Sequence, residues 1–121
     1  MRFLSILSVG LLAHGSHAYV YDNNCKGSSR NPSLSDCQVA LRNIDVNRTY
    51  RDQAQFSFGN CYMIYATNGS GDQTVSGQTL QNTAKSIMDT CANHKGSFGT
   101  ENCHACHVTI TYRAPKQLKR F

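Results

Sequence analysis

Six cysteines follow an apolar leader, and none lies within it. Residues 1–18 read as a secretory signal peptide. Arg2 supplies the positive start, Phe3 to Ala13 the apolar stretch, and Ser16-His17-Ala18 the small residues that a signal peptidase inspects. The stretch is too short to span a bilayer, and no later segment is long enough. Cys25, Cys37, Cys61, Cys91, Cys103 and Cys106 are therefore expected to reach an oxidising compartment. There, an even set of thiols in a short chain forms a disulfide framework. Which cysteines pair stays open, because six thiols allow many connectivities.

Loss of the leader from this 121-residue chain leaves roughly 100 residues, enough for one domain. A core of that size is modest, and each native bridge adds about 2–5 kcal/mol. The expected organisation is a leader over 1–18, one cysteine-rich α+β domain over 19–113 and a basic tail over 114–121. The net charge is +5, of which Arg2 would leave with the leader. Arg113, Lys116, Lys119 and Arg120 concentrate the excess at the C-terminus, without interleaved aromatics. The tail reads as solvated, and no nucleic-acid partner is expected. Asn47-Arg48-Thr49 and Asn68-Gly69-Ser70 are sequons, making Asn47 and Asn68 glycosylation candidates on surface loops.

Periodicity supplies the elements. Tyr19 to Tyr21 suits a short strand. Ser33 is a hydroxyl N-cap with Asp36 three residues on, and Cys37, Leu41 and Ile44 give the following helix an apolar face. Gln53 to Phe58 alternates, Gly59-Asn60 can turn the chain, and Cys61 to Ala66 is a second strand. A longer helix over about 78–94 buries Leu80, Ala84, Ile87, Met88 and Cys91, with Gly96 as its C′ residue. Cys106 to Arg113 alternates most clearly of all. The order βαββαβ predicts a two-layer sandwich, an antiparallel sheet with two helices on one face. Both helices and two strands carry a thiol pointing inward, so bridges from helix to sheet would staple the layers.

Several motifs invite sharper chemistry. Cys103-His104-Ala105-Cys106-His107 has the spacing of c-type haem attachment, but it runs straight into a strand. Cys91-x2-His94 with Cys103-x2-Cys106 has zinc-ligand spacing, but disulfide formation competes for the thiols. A redox Cys-x-x-Cys works at a helix N-terminus, which this pair lacks. No metal or cofactor is expected. His104, Glu101 and Arg113 could be recruited as the acid–base set of a small ribonuclease, although nothing in their spacing requires it. No catalytic residues are assigned. The candidate binding surface is the face opposite the helices, with Tyr62, Ile64, His107, Thr109, Thr111 and Arg113. Its aromatic and arginine content is typical of interface hot spots.

The Cys-Lys-Gly-Ser-Ser run from Cys25 to Ser29, the helix-borne Cys37 and the terminal strand Val108 to Tyr112 resemble the killer-toxin-like fold of smut fungi. Ser35-Asp36-Cys37 and Gly59-Asn60-Cys61 resemble the necrosis-inducing extracellular effector domain. Taken together, the chain is similar to small cysteine-rich fungal effectors, and most of all to the secreted-in-xylem effectors of vascular-wilt fungi. The resemblance implies secretion into the apoplast or xylem of a plant host, with entry into host cells open. It also implies virulence through non-catalytic binding of a protein, either a host protein or a second effector. A killer-type toxin acting on membranes or channels is the first alternative, and a small secreted ribonuclease, read from the residues and not from the resemblance, is the second. Killer toxins carry a basic segment where this chain has Gln53 to Gly59, which contains no lysine, so channel block is not carried over.

Overall fold

A computed structural model describes residues 21–115. Residues 1–20, which hold the expected leader and most of the expected Tyr19 to Tyr21 strand, and residues 116–121 of the expected basic tail lie outside them. The chain forms α1 (Leu34–Arg42), β1 (Thr49–Tyr50), β2 (Cys61–Ala66), β3 (Val75–Ser76), α2 (Gly77–Thr90), β4 (Gly96–Gly99) and β5 (His107–Tyr112). Strands β2, β5 and β4 make a three-stranded antiparallel sheet with β5 in the centre, while β1 and β3 pair as a two-stranded antiparallel ribbon. The α+β class, the two helices and the antiparallel pairing are as the periodicity indicates. Among the described residues the order departs from βαββαβ: β4 and the small ribbon are additional, and residues 21–33 and 51–60 contain no regular strand.

Both irregular stretches nevertheless cover sheet edges. Along β2, Gln55 opposes Ile64 and Phe58 opposes Cys61. Regular pairing fails between them because the Phe56 carbonyl turns away to the Asn43 amide, and the Ser57 hydroxyl accepts from the Met63 N–H instead. Gln53, at φ 69°, slips the ladder again by donating to the Tyr65 carbonyl. The segment is a bulged edge. Along β4, Asn24 exchanges backbone hydrogen bonds with Ser97, and the Asn23 side chain accepts from the Gly99 N–H. The edges that would otherwise template association are thus occupied.

Helix α1 begins as its cap predicts, with Ser33 Oγ accepting from the Asp36 N–H at 3.1 Å. The reciprocal half of the box is relayed. Asp36 accepts from the Asn60 N–H, and Asn60 Oδ1 accepts from the Ser33 N–H. Gly59 makes this possible: its φ is 55°, and a Cβ there would lie 2.2 Å from Asp36 Oδ2. The hairpin turn and the helix cap are one structure.

Helix α2 starts on the Ser76 cap and ends at Thr90, short of the expected His94. Cys91 leaves the helical conformation and bonds to Cys25. The left-handed turn falls to His94, at φ 61°, whose Nδ1 lies 3.1 Å from the Met88 carbonyl. Gly96 is not a C′ residue but the first residue of β4. It is glycine because a Cβ would meet the Asn24 carbonyl at 2.4 Å.

The disulfides are Cys25–Cys91, Cys37–Cys61 and Cys103–Cys106. Only Cys37–Cys61 is a direct helix-to-strand staple. Cys25–Cys91 ties the end of α2 to the edge segment, and Cys103–Cys106 closes a local loop. The core joins Cys37, Ala40 and Ile44 of α1 and its flank to Leu80, Ala84 and Ile87 of α2. Against them pack Cys61, Met63, Tyr65, Val108 and Ile110 from alternate positions of β2 and β5. Burying such apolar side chains contributes about 1.5–3 kcal/mol each. No helix among the described residues is long and apolar enough to cross a membrane.

Candidate binding face

Period-two alternation in β2 and β5 puts one set of side chains in the core and the other on the opposite face. The register places Tyr62 opposite Thr111 and Ile64 opposite Thr109. All four are half-buried. The row through Ile64 continues to Ser97 on one side and Gln55 on the other. Four strand positions at ordinary spacing make it about 14 Å wide. Ser97 is not anticipated on this face because β4 is not expected; Gln55 falls on the outward side of the alternation in Gln53 to Phe58, but is not among the residues expected there.

The hydroxyls are already engaged within the face. Ser97 Oγ and Thr109 Oγ1 share a hydrogen bond of 2.7 Å. Thr111 Oγ1 accepts from the Ser28 N–H and donates to Ser28 Oγ. This bonding occupies both threonine hydroxyls, in register with Tyr62 and Ile64. The loop that brings Ser28 here is held from below by Lys95, whose buried ammonium donates to the Ser28 and Arg30 carbonyls. Arg30 in turn lies over the Tyr112 ring, 5.0 Å from its centroid.

Two of the six expected surface residues have other duties. His107 is buried, stacked on Tyr21 with ring centroids 4.7 Å apart, and its Nδ1 lies 2.8 Å from the Ala105 carbonyl. Alternation alone assigned it to the solvated face. The covering ring comes from a distant segment, which periodicity does not report. Arg113 is half-buried. Its Nε donates to the Gly59 carbonyl at 3.0 Å and its Nη1 to Gln55 Oε1 at 3.4 Å. It braces the hairpin turn at the end of the face.

The constellations that the sequence set aside are held apart or otherwise engaged among the described residues. The four residues of the zinc-like pattern are divided between the Cys25–Cys91 and Cys103–Cys106 bridges, with His94 turned to the Met88 carbonyl. Glu101 and His104 precede β5 while Arg113 follows it, a separation along the strand of about 17 Å or more. The sequons Asn47 and Asn68 are both exposed, each beside a turn. Within the core, burial pushes the Tyr65 phenol above its ordinary value, against the opposing hydrogen bond from Asn102. Its hydroxyl donates to the Gln73 carbonyl and accepts from Asn102 Nδ2.

No family model, no curated protein and no solved structure matches this chain.

Proposed function

We propose that this protein is a secreted effector of a plant-associated fungus, a two-layer α+β module that acts in the host by binding a protein and not by catalysis. The partner is a host protein or a second effector. The carrying observation is the sheet face on which Tyr62 and Ile64 stand half-exposed in register with Thr109 and Thr111. The helices and two long-range disulfides hold the opposite face, so the open one is rigid without contributing to the core. A pre-ordered surface with a central aromatic loses little entropy on binding. The six thiols, all in disulfides, support an extracellular site of action, as does the leader-like sequence of residues 1–18.

Arg113 is a poor probe of this surface, since its removal would loosen the Gly59 turn. Tyr62 and Ile64 are better. Affinity purification with the oxidised protein from infected tissue should identify the partner, and titration of that purified partner should follow. Tyr62→Ala and Ile64→Ala are each expected to weaken binding by about 1–3 kcal/mol. Equal affinity for both variants and the parent would remove this face as the site.

A further inference from the structure

A cleft lies between α2 and β4, apart from the open sheet face and sharing no residue with it. It measures about 310 Å³, near the lower end of small-molecule sites. Helix α2 contributes Asn82, Thr83 and Ser86 to one wall. Asn23, Phe98 and Glu101 stand on the other. We propose that this cleft binds a neutral saccharide.

The bonding already in place defines what the walls still offer. Asn82 Oδ1 accepts from the Gln78 amide, so its own NH₂ is directed to other acceptors. Asn23 Oδ1 accepts from the Gly99 N–H, which likewise leaves an NH₂ group. Thr83 donates its proton to the Thr79 carbonyl and keeps its lone pairs. When ionised, Glu101 accepts hydrogen bonds and donates none. Amide donors on both walls, with hydroxyl acceptors beside the one and a carboxylate beside the other, complement vicinal hydroxyl groups, each of which gives and takes a hydrogen bond. Phe98 adds an aromatic surface suited to the C–H face of a sugar ring.

The same inventory excludes other ligand classes. The lining contains no lysine or arginine, so a phosphate or uronate would meet the Glu101 carboxylate with no countercharge. A largely apolar ligand would strand the amides and hydroxyls. Glu101 is also a non-glycine residue at φ 70°, two residues before the Cys103–Cys106 bridge. Backbone strain of this kind tends to collect at ligand sites.

The test uses the full chain, expressed through a secretory pathway with its disulfides intact and labelled with ¹⁵N. It is titrated with short oligomers of glucose, xylose, mannose and N-acetylglucosamine, and with oligogalacturonate as the anionic control. At least one neutral oligomer is expected to shift amide resonances of α2 and β4 with a Kd of about 1 mM or tighter. Asn82→Ala and Glu101→Gln are both exposed positions, and each should weaken that binding about tenfold without lowering Tm. Absence of shifts with every neutral oligomer at about 10 mM would overturn the proposal. So would tighter binding of oligogalacturonate, or shifts that survive both substitutions. Because Tyr62→Ala and Ile64→Ala lie elsewhere, they should leave saccharide binding unchanged, which separates failure here from failure of the protein-binding face.

Discussion

The two faces of the sheet are cut from one strand pattern. In β2, Cys61, Met63 and Tyr65 are fully buried, while Tyr62, Ile64 and Ala66 are half-buried. Both sets include an aromatic and an aliphatic side chain, so hydrophobicity alone does not separate them. What does is the set of cross-links and helix contacts. Cys37–Cys61 ties α1 to β2, and Leu80, Ala84 and Ile87 of α2 join the same buried cluster as Cys61, Met63 and Tyr65. Tyr62 and Ile64 stand outside that cluster. The lesson is that half-exposed apolar groups outside the buried cluster can serve binding at little cost to the fold.

That contrast can be broken most forcefully from within the core. Ile110→Ala should destabilise the protein by about 4 kcal/mol in denaturant unfolding, because Ile110 is fully buried on the helix side. Thr109→Ala, one residue away on the open side, should cost under about 1 kcal/mol. Similar losses at both positions would mean that the two faces contribute alike.

The bridges give a graded comparison. Replacing Cys25 and Cys91 by Ala removes a link spanning 66 residues, and the chain-entropy cost is about 4 kcal/mol. The Cys103–Cys106 link spans 3 residues and should be worth about 2 kcal/mol. Thermal melts of the two double variants would reveal the order. Hydrogen exchange at Ser97 should rise selectively in the first, since Cys25 holds the edge that pairs with it.

Gly59→Ala should cost about 2–3 kcal/mol. It forces an alanine to φ 55° and a Cβ onto the Asp36 carboxylate, so both the hairpin and the α1 cap are disturbed. Circular dichroism melting would register the loss.

A smaller, pH-dependent effect comes from Tyr65. Its folded pKa is raised above 10.0 by burial, so the folded state holds this proton more tightly than the unfolded one. The resulting stability is complete below about pH 10 and falls as the pH rises through the folded pKa. Tyr65→Phe should flatten that alkaline decline in urea midpoints measured between pH 8 and pH 11, a range chosen about the ordinary tyrosine value of about 10.

How far the sequence discloses this arrangement depends on the range of the interaction. The Ser33 cap, the apolar stripe of α2 and the alternation in β2 and β5 are local, and they could be read directly. The Gly-Ser-Phe-Gly of β4 is too short and glycine-rich to announce a strand; it forms because Asn24 and Val108 flank it in space. Gln53 to Phe58 alternates as a strand should, yet Asn43 and Ser57 intercept its ladder. The end of α2 shifted because Cys91 is committed to Cys25, a pairing that spacing leaves undetermined. On the candidate face, Tyr62, Ile64, Thr109 and Thr111 follow from period two alone. His107 and Arg113 do not, because Tyr21 and Gly59 come to them from elsewhere in the chain.

The most direct test of the open face as the binding surface is a calorimetric titration of the purified partner against the parent protein and Tyr62→Ala. Thr109→Ala unfolding data serve as the stability reference. The affinity of Tyr62→Ala should fall by at least about tenfold while its unfolding free energy stays within about 1 kcal/mol of the parent. An unchanged Kd with the fold intact would contradict the account.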